Sequence, residues 1–352
     1  MPIFTEHDSK EMKRYIKFLK ESKNSSFMQS PSWANIKKNW KHFFVCVEND
    51  GKIVIGMTML IQYIPIIRKS IMYCPRGPVG KIDDNDLIKR LLDEIKPLIK
   101  GYNVFMLKLD PNALYDEKIR TIFKEVGFKI SKKCPKRESI IQPVYYMRIN
   151  LKDKKENDIF LSFPTKTRYN IRYAYKKGIK VQYSNKKSDL KIFYSLFKTT
   201  VARDNFPGKS YEYFESILEN FNSDDFRIYL AKYKNYYLAG ALTFKFGNEV
   251  FYLYGATSNE YRNLKPMYAL QWEMIKWGIE SKCEIYNLGG LSSKSNNTGL
   301  YKFKSNFCTS LGLVEYIGEF TKVYNKFYYN LYKIIYPTIV KINSKKNHFN
   351  IN

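Results

Sequence analysis

Apolar residues recur at helical spacing between Asp8 and Lys20, where Met12, Tyr15, Ile16 and Leu19 share one face behind an acidic start, and this spacing predicts an opening helix. After the break at Asn24-Ser25-Ser26, Ser30 reads as an N-cap and Pro31 as the first residue of a short helix that sets Trp33 and Lys37 one turn apart. Alternation then takes over. Phe43 to Val47, the turn Asn49-Asp50-Gly51 and Ile53 to Gln62 predict a β-hairpin. A strand from Ser70 to Cys74 leads through Pro75-Arg76-Gly77-Pro78 to a helix from Asp86 to Lys100 and a strand from Tyr102 to Leu109 that ends at Asp110-Pro111. A helix from Glu117 to Val126 and a strand from Gln142 to Ile149 complete this half.

The second half repeats the order. Arg227 to Ala231, a turn at Lys234-Asn235 and Leu238 to Phe246 predict another hairpin, with Gly240 falling where Gly56 did. Val250 to Gly255, a helix from Pro266 to Glu280 and a strand from Glu284 to Leu288 follow. Two copies of hairpin, strand, helix and strand predict a duplicated α/β (α+β) domain with mixed sheets covered by helices. Open sheets of this kind place ligands at strand ends. Gly289-Gly290 ends the second copy's strand where Asp110-Pro111 ends the first's, so it is the candidate rim of a site. Beyond a small polar loop, Gly299-Leu300-Tyr301-Lys302-Phe303-Lys304 adds an aromatic residue and a cation.

Between the halves, Thr165 reads as the N-cap and Gly178 as the end of a helix carrying Lys166, Arg168, Arg172, Lys176 and Lys177 with aromatics interleaved. Such a helix suits a phosphate backbone; a solvated surface helix is the plain alternative. A helix from Lys191 to Arg203 runs through Asn205-Phe206-Pro207-Gly208 directly into Tyr211-Glu212-Tyr213-Phe214. The amphipathic tail from Tyr328 to Ile342 is expected to close the first domain's core, with a membrane face as the alternative.

Composition narrows the partners. The 352 residues exceed a comfortable single core, and 44% of them are hydrophobic, enough for two. A formal charge of +27 exceeds what solubility needs and points to nucleic acid, a phosphorylated small molecule or an anionic membrane face, although an A/T-rich coding sequence also inflates lysine. Cys46, Cys74, Cys134, Cys283 and Cys308 are scattered without a Cys-x-x-Cys pair, as in a reduced, cytosolic protein. His7, His42 and His348 have no metal-ligand spacing, so neither a metal site nor a histidine-based triad is expected. The N-terminus has no signal-peptide pattern, and the apolar run from Ile53 to Ile67 is interrupted and short of a membrane span. The pair Trp33 and Lys37 would hold a sugar or base and its phosphate, or be a core tryptophan beside a solvated lysine; the pattern alone leaves both open.

In order along the chain, Gln29-Ser30 with Trp33 and Lys37, Pro75-Arg76-Gly77-Pro78-Val79-Gly80, Lys166-Thr167-Arg168 with Ile171-Arg172 and Lys177-Gly178, Leu288-Gly289-Gly290 with Leu300-Tyr301 and Phe303-Lys304, and Glu315-Tyr316-Ile317-Gly318-Glu319 resemble the Fem (FemABX) family of aminoacyltransferases. The resemblance implies two tandem GNAT-like domains, with residues 1–147 and 318–352 in the precursor-binding domain and 148–317 in the aminoacyl-tRNA-binding domain. It also implies a short form, since nothing between Arg203 and Tyr211 leaves room for the long helical hairpin that many members carry. By position, Lys37 and Lys209 match cations that bind the precursor's diphosphate. Trp33, Tyr213 and Tyr254 match the same pocket's lining, with Phe105 standing where a tyrosine is expected. Asp110 matches a strand-end acid of the substrate cleft, and Phe303-Lys304 the pair near the reacting centre.

The activity so implied is transfer of an amino acid from aminoacyl-tRNA to the peptide-branch amine of UDP-MurNAc-pentapeptide or lipid II, without cofactor or metal, by a cytoplasmic monomer in peripheral contact with the inner membrane face. An aminoacyl ester is already activated, so orientation of the amine and stabilisation of the oxyanion are the main needs. Lys304 is the candidate for the second. Asp110 is either a base or an orienting group. The tRNA contacts fall to Lys166, Arg168, Arg172, Lys176 and Lys177. A CoA-dependent acyltransferase is the rival on the same fold, but Arg262-Asn263-Leu264-Lys265-Pro266-Met267-Tyr268 lacks the glycines and one amide that a pyrophosphate loop needs. A non-catalytic tRNA- or precursor-binding module is the rival from another class.

Overall fold

The computed structural model describes residues 2–131, 141–291, 298–308 and 312–336. The described residues form two compact units, one from residues 2–144 and 315–336 and the other from residues 145–314.

In the first unit the strands lie in the order Ile3–Phe4, Lys41–Asn49, Lys52–Ile64, Lys69–Cys74, Val104–Leu109, Phe320–Val323, Lys129–Ile130, with Val79–Gly80 paired onto Lys52–Ile64. The expected hairpin is present. Asp50 and Gly51 turn it with φ of +49° and +72°, the left-handed pair that a two-residue hairpin turn requires. Lys69–Cys74 and Val104–Leu109 run parallel and stay paired from Ser70 and Val104 to Cys74 and Leu109. The predicted helix from Asp86 to Lys100 is two helices, Asn85–Glu94 and Lys96–Gly101, divided ahead of Pro97, which has no amide to continue the first.

One strand changes sheets relative to the sequence reading. Tyr145–Asn150, expected to complete the first half, pairs antiparallel with Ile285–Leu291 in the second unit and buries Met147 and Ile149 in that core. The first sheet is instead completed by Phe320–Val323, held between Val104–Leu109 and Lys129–Ile130. The boundaries therefore fall at 144/145 and 314/315 rather than at 147/148 and 317/318. Residues 326–336 are helical, and Tyr328, Tyr329, Leu331, Tyr332 and Ile335 cover Ile67, Ile71, Phe105 and Met106. One face of the tail thus packs on the core through Ile335; its predicted remainder beyond Tyr336 lies outside the described residues.

The second sheet has the order Leu313–Glu315, Tyr145–Asn150, Ile285–Leu291, Glu249–Thr257, Tyr236–Phe246, Phe226–Tyr233, Lys180–Ser184. Helix Pro266–Glu280 connects the parallel strands Glu249–Thr257 and Ile285–Leu291. A bulge at Leu253, opposite the Leu242-Thr243 step, interrupts alternation. Tyr252 therefore packs on the core that holds Val250 and Leu270, while Tyr254 faces Phe197 and Phe214. Helix Thr165–Lys176 buries Thr167, Asn170, Ile171 and Ala174. Thr165 lies inside this helix rather than capping it, with its hydroxyl accepting from Arg168 Nη2 at 3.2 Å. Helix Lys187–Asp204 leads to Tyr211–Asn220. Among the described residues, no helix is long and apolar enough to cross a membrane.

Candidate functional site

Strand Val104–Leu109 carries Asp110 to its C-terminal end beside the end of Lys69–Cys74. The carboxylate is 2% exposed. Its Oδ2 accepts from the Tyr73 hydroxyl at 2.8 Å and its Oδ1 from the Arg76 amide at 2.6 Å. Arg76 takes a left-handed φ of +56°, and its guanidinium lies 5.0 Å from the centre of the Tyr316 ring. Under the same turn the Gln29 amide donates to the Pro75 carbonyl and accepts from the Thr58 amide at 2.8 Å. A Cβ on Gly77 would lie 2.5 Å from Cys74 Sγ and 2.8 Å from the Gln29 side chain, so the Gln29 and Pro75-Arg76-Gly77-Pro78 motifs are one packed support. Arg76 lies in one of the motifs that carry the resemblance, but the sequence links neither it nor Tyr73 to Asp110, because these contacts span more than thirty residues and leave no local pattern.

Burial pushes the Asp110 carboxyl up to about 6, against the pull of Arg76 and the two hydrogen bonds. The folded chain therefore binds a proton between the ordinary carboxylate value of about 4 and about 6 that the unfolded chain releases, and stability falls as pH rises through this window. Asn at this position would still accept from Arg76 and would donate to the Tyr73 hydroxyl. Asp110→Asn is expected to remove the dependence, so that between about pH 4 and pH 7 wild type loses on the order of 2 kcal/mol relative to the variant in urea unfolding. Parallel curves would refute it.

Trp33 and Lys37 meet as the spacing predicts, with Lys37 Nζ 4.8 Å from the centre of the Trp33 ring. The indole is itself core, 5% exposed and edge-on to Phe27 at 5.1 Å. Phe105 is not a pocket residue. It is 1% exposed, with its ring 5.6 Å from Tyr332 under the tail helix, an apolar setting that suits a phenyl group without a hydroxyl.

In the second unit, Lys209 precedes the N-cap Ser210 of helix Tyr211–Asn220 and so sits just outside the helix. Its Nζ lies 5.3 Å from the centre of the Tyr213 ring, and the Tyr213 and Tyr254 hydroxyls are 3.2 Å apart. Phe197 and Phe214 pack edge-on around Tyr254. This assembles the predicted cation and both tyrosines.

The remaining candidate residues of the second unit lie where two strands part. Glu249–Thr257 and Ile285–Leu291 pair only from Glu249–Ile285 to Phe251–Asn287, whereas the equivalent pair in the first unit stays together. Phe303 and Lys304 reach this region from helix Gly299–Ser305, capped by the Thr298 hydroxyl. Residues 292–297 of the polar loop lie outside the described residues. Lys304 is 4% exposed, and its Nζ donates to the Gly290 carbonyl at 2.9 Å. Gly289 adopts φ +84°, and a Cβ there would lie 3.3 Å from that Nζ and 3.0 Å from the Tyr252 carbonyl. Phe303 packs edge-on against Tyr268 at 5.9 Å and Phe307 at 5.6 Å. Burial pushes the Lys304 ammonium down to about 7, with Cys308 opposing the shift. A shielded ammonium of this kind would donate to a developing anionic oxygen, and its neutral form would accept a proton.

On helix Thr165–Lys176 and its C-cap Lys177, the lysines Lys166, Lys176 and Lys177 are exposed. Arg168 donates to the Leu161 carbonyl at 3.1 Å, and Arg172 lies 5.0 Å from the centre of the Phe160 ring. Tyr169 and Tyr173 stack at 5.7 Å along the same surface.

The FemAB family profile matches residues 11–236 and 230–337. The chain is 30% identical over 328 residues to the UDP-N-acetylmuramoylpentapeptide-lysine N(6)-alanyltransferase of Weissella viridescens, covering 92% of this chain and 96% of that protein. It is 29% identical over 408 residues to the lipid II:glycine glycyltransferase of Staphylococcus haemolyticus, covering 93% and 95% respectively. A crystal structure of FemX superposes with a TM-score of 0.84 at 25% identity, over 95% of this chain and all of that one. A tandem GNAT protein from the clavulanic acid biosynthesis pathway superposes with a TM-score of 0.54 at 9% identity, over 91% and 97%, consistent with two GNAT-like units in series. The chain belongs to the FemAB family.

Proposed function

We propose that this protein transfers an aminoacyl group from aminoacyl-tRNA to the side-chain amine of the third peptide residue of UDP-MurNAc-pentapeptide. The observation that carries the reading is Lys304, a buried amine held by a backbone carbonyl where two strands diverge. The acceptor follows the name of the Weissella relative. Nearly the same share of this chain aligns over 328 positions there and over 408 in the staphylococcal glycyltransferase, so the latter carries residues that this chain lacks.

The acceptor amine attacks the ester carbonyl of the aminoacyl-tRNA. A carbon–nitrogen bond forms, the ester carbon–oxygen bond breaks, and the amine's proton ends on the terminal ribose oxygen. Lys304 has three N–H groups and commits one to Gly290, which leaves donors for the carbonyl oxygen as it gains charge. Phe303 shields that ammonium from water. Asp110 orients the amine or accepts its proton. Lys37 beside Trp33 and, separately, Lys209 beside Tyr213 and Tyr254 are the candidate cations for the precursor's phosphates. Lys166, Arg168, Arg172, Lys176 and Lys177 face the tRNA backbone. Use of charged tRNA confines the reaction to the cytoplasm.

The test is mass spectrometry of products from purified protein, a panel of aminoacyl-tRNAs including alanyl-tRNA, and both UDP-linked and lipid-linked acceptors. The expected product is the UDP-linked pentapeptide extended on its third residue. Extension of the lipid-linked acceptor alone would move the acceptor assignment, and no extended peptide from either would end the enzyme reading.

A further inference from the structure

Lys304 is held by a short stretch of backbone that neither neighbouring strand holds in register. Pairing with Glu249–Thr257 stops at Phe251 and Asn287. On the other side the ladder with Tyr145–Asn150 slips between Asn287, opposite Arg148, and Gly290, opposite Tyr146. Three steps on one strand therefore face two on the other, and Leu288-Gly289 forms a bulge. A bulge in mid-sheet leaves backbone groups that need other partners.

One side chain meets that need. Asn287 is fully buried. Its Oδ1 accepts from the Gly289 amide at 2.9 Å, and its Nδ2 donates to Glu249 Oε1 at 2.9 Å. Glu249 Oε1 is also 3.9 Å from Arg148 Nε, on the strand across from Asn287. Three adjacent strands are thus tied through the Asn287 amide and the Glu249 carboxylate at the point where the sheet opens. The next peptide is the one that matters: Gly290 supplies the carbonyl that holds Lys304, and Gly289 supplies the space beside its Nζ.

We infer that Asn287, braced by Glu249, is the positioning residue for Lys304: it fixes the Leu288-Gly289 bulge and, through the Gly290 carbonyl, the place of the ammonium. An amide suits the position because it must accept from an N–H and donate to a carboxylate at once. Aspartate there would set two carboxylates against each other in a buried site, and a hydrocarbon would leave both partners unsatisfied. This inference rests on the proposed role of Lys304 but has a readout that does not.

The experiment compares wild type, Asn287→Asp and the double variant Asn287→Asp/Glu249→Gln. The double variant restores one donor and one acceptor with the polarity reversed. Lys304 reactivity is followed by competitive labelling with acetic anhydride across pH and peptide mass spectrometry. In wild type the labelling midpoint is expected near 7. In Asn287→Asp it rises toward the ordinary lysine range, and kcat falls about 10- to 100-fold with acceptor KM nearly unchanged, as expected for a displaced group. In the double variant both return toward wild type. A charge effect alone would raise the midpoint in both variants, since both carry a carboxylate at 287, and that result overturns the inference. So does a folded Asn287→Asp protein with a wild-type labelling curve. If Asn287→Asp does not fold, the double variant decides by the same curve. Should Lys304→Met retain full turnover, the proposed catalytic role fails, while labelling still reports whether Asn287 positions the amine.

Discussion

Replacing Lys304 with methionine is expected to lower turnover by about 10²- to 10³-fold, the loss that follows removal of a donor to a developing oxyanion, while acceptor affinity stays within about twofold. Loss of acceptor binding instead would make Lys304 a substrate anchor. The same substitution has a second, opposite signature. Unfolded lysine keeps its proton to about 10.4, whereas burial brings folded Lys304 down to about 7. Between those values the unfolded chain binds more protons, so the wild-type protein gains stability as pH rises. Lys304→Met lacks this gain. The stability of wild type relative to the variant should therefore rise by on the order of 3 kcal/mol between about pH 6 and pH 10, measured by urea unfolding. Constant differences between the side chains cancel in that comparison. If the ammonium is the working form, kcat/KM for aminoacyl-tRNA falls above about 7, and the corresponding fall in kcat lies higher, because bound phosphates favour the charged amine. A kcat/KM that instead rises through that region would assign Lys304 as a base.

The second large expected effect is salt sensitivity of the proposed tRNA binding. Lys166, Lys176 and Lys177 are exposed on the basic helix and its C-cap, and Arg168 and Arg172 lie on the same helix. If the proposed tRNA interface makes three to five phosphate contacts, counterions are released in proportion and binding is expected to weaken roughly 40- to 500-fold between about 50 and 200 mM salt. Filter binding or anisotropy across that range reports the slope. Lys176→Gln combined with Lys177→Gln is expected to make it shallower by up to about two, uniformly across tRNA species. An unchanged slope would remove this helix from the interface.

The duplicated unit was readable because hairpins, turns and helices announce themselves locally: Asn49-Asp50-Gly51, Ser30-Pro31 and the spacing of Met12, Tyr15 and Leu19 each decide their own conformation. What escaped depended on distant residues. The alternation of Tyr145–Asn150 says that it is a strand but not which sheet receives it. The bulge at Leu253 separates Tyr252 from Tyr254 although their spacing would put them on one face. Helix Gly299–Ser305 is too short for a period to register. The resemblance found Asp110 and Lys304 but not the groups that hold them. Tyr73, Arg76 and Glu249 act through hydrogen bonds to residues more than thirty positions away, which have no period, and the local bond from the Gly289 amide to Asn287 depends on a bulge that only the neighbouring strands define.

The placement of Phe320–Val323 between Val104–Leu109 and Lys129–Ile130 has a consequence for synthesis. Domains generally fold in the order in which they leave the ribosome. Here the unit begun first is finished last, since its sheet has to wait for residues made after the whole of the other unit. A transcript cut short ahead of Phe320 would release a protein whose later unit is complete while Val104–Leu109 presents a bare strand edge, the kind of surface that pairs with other chains.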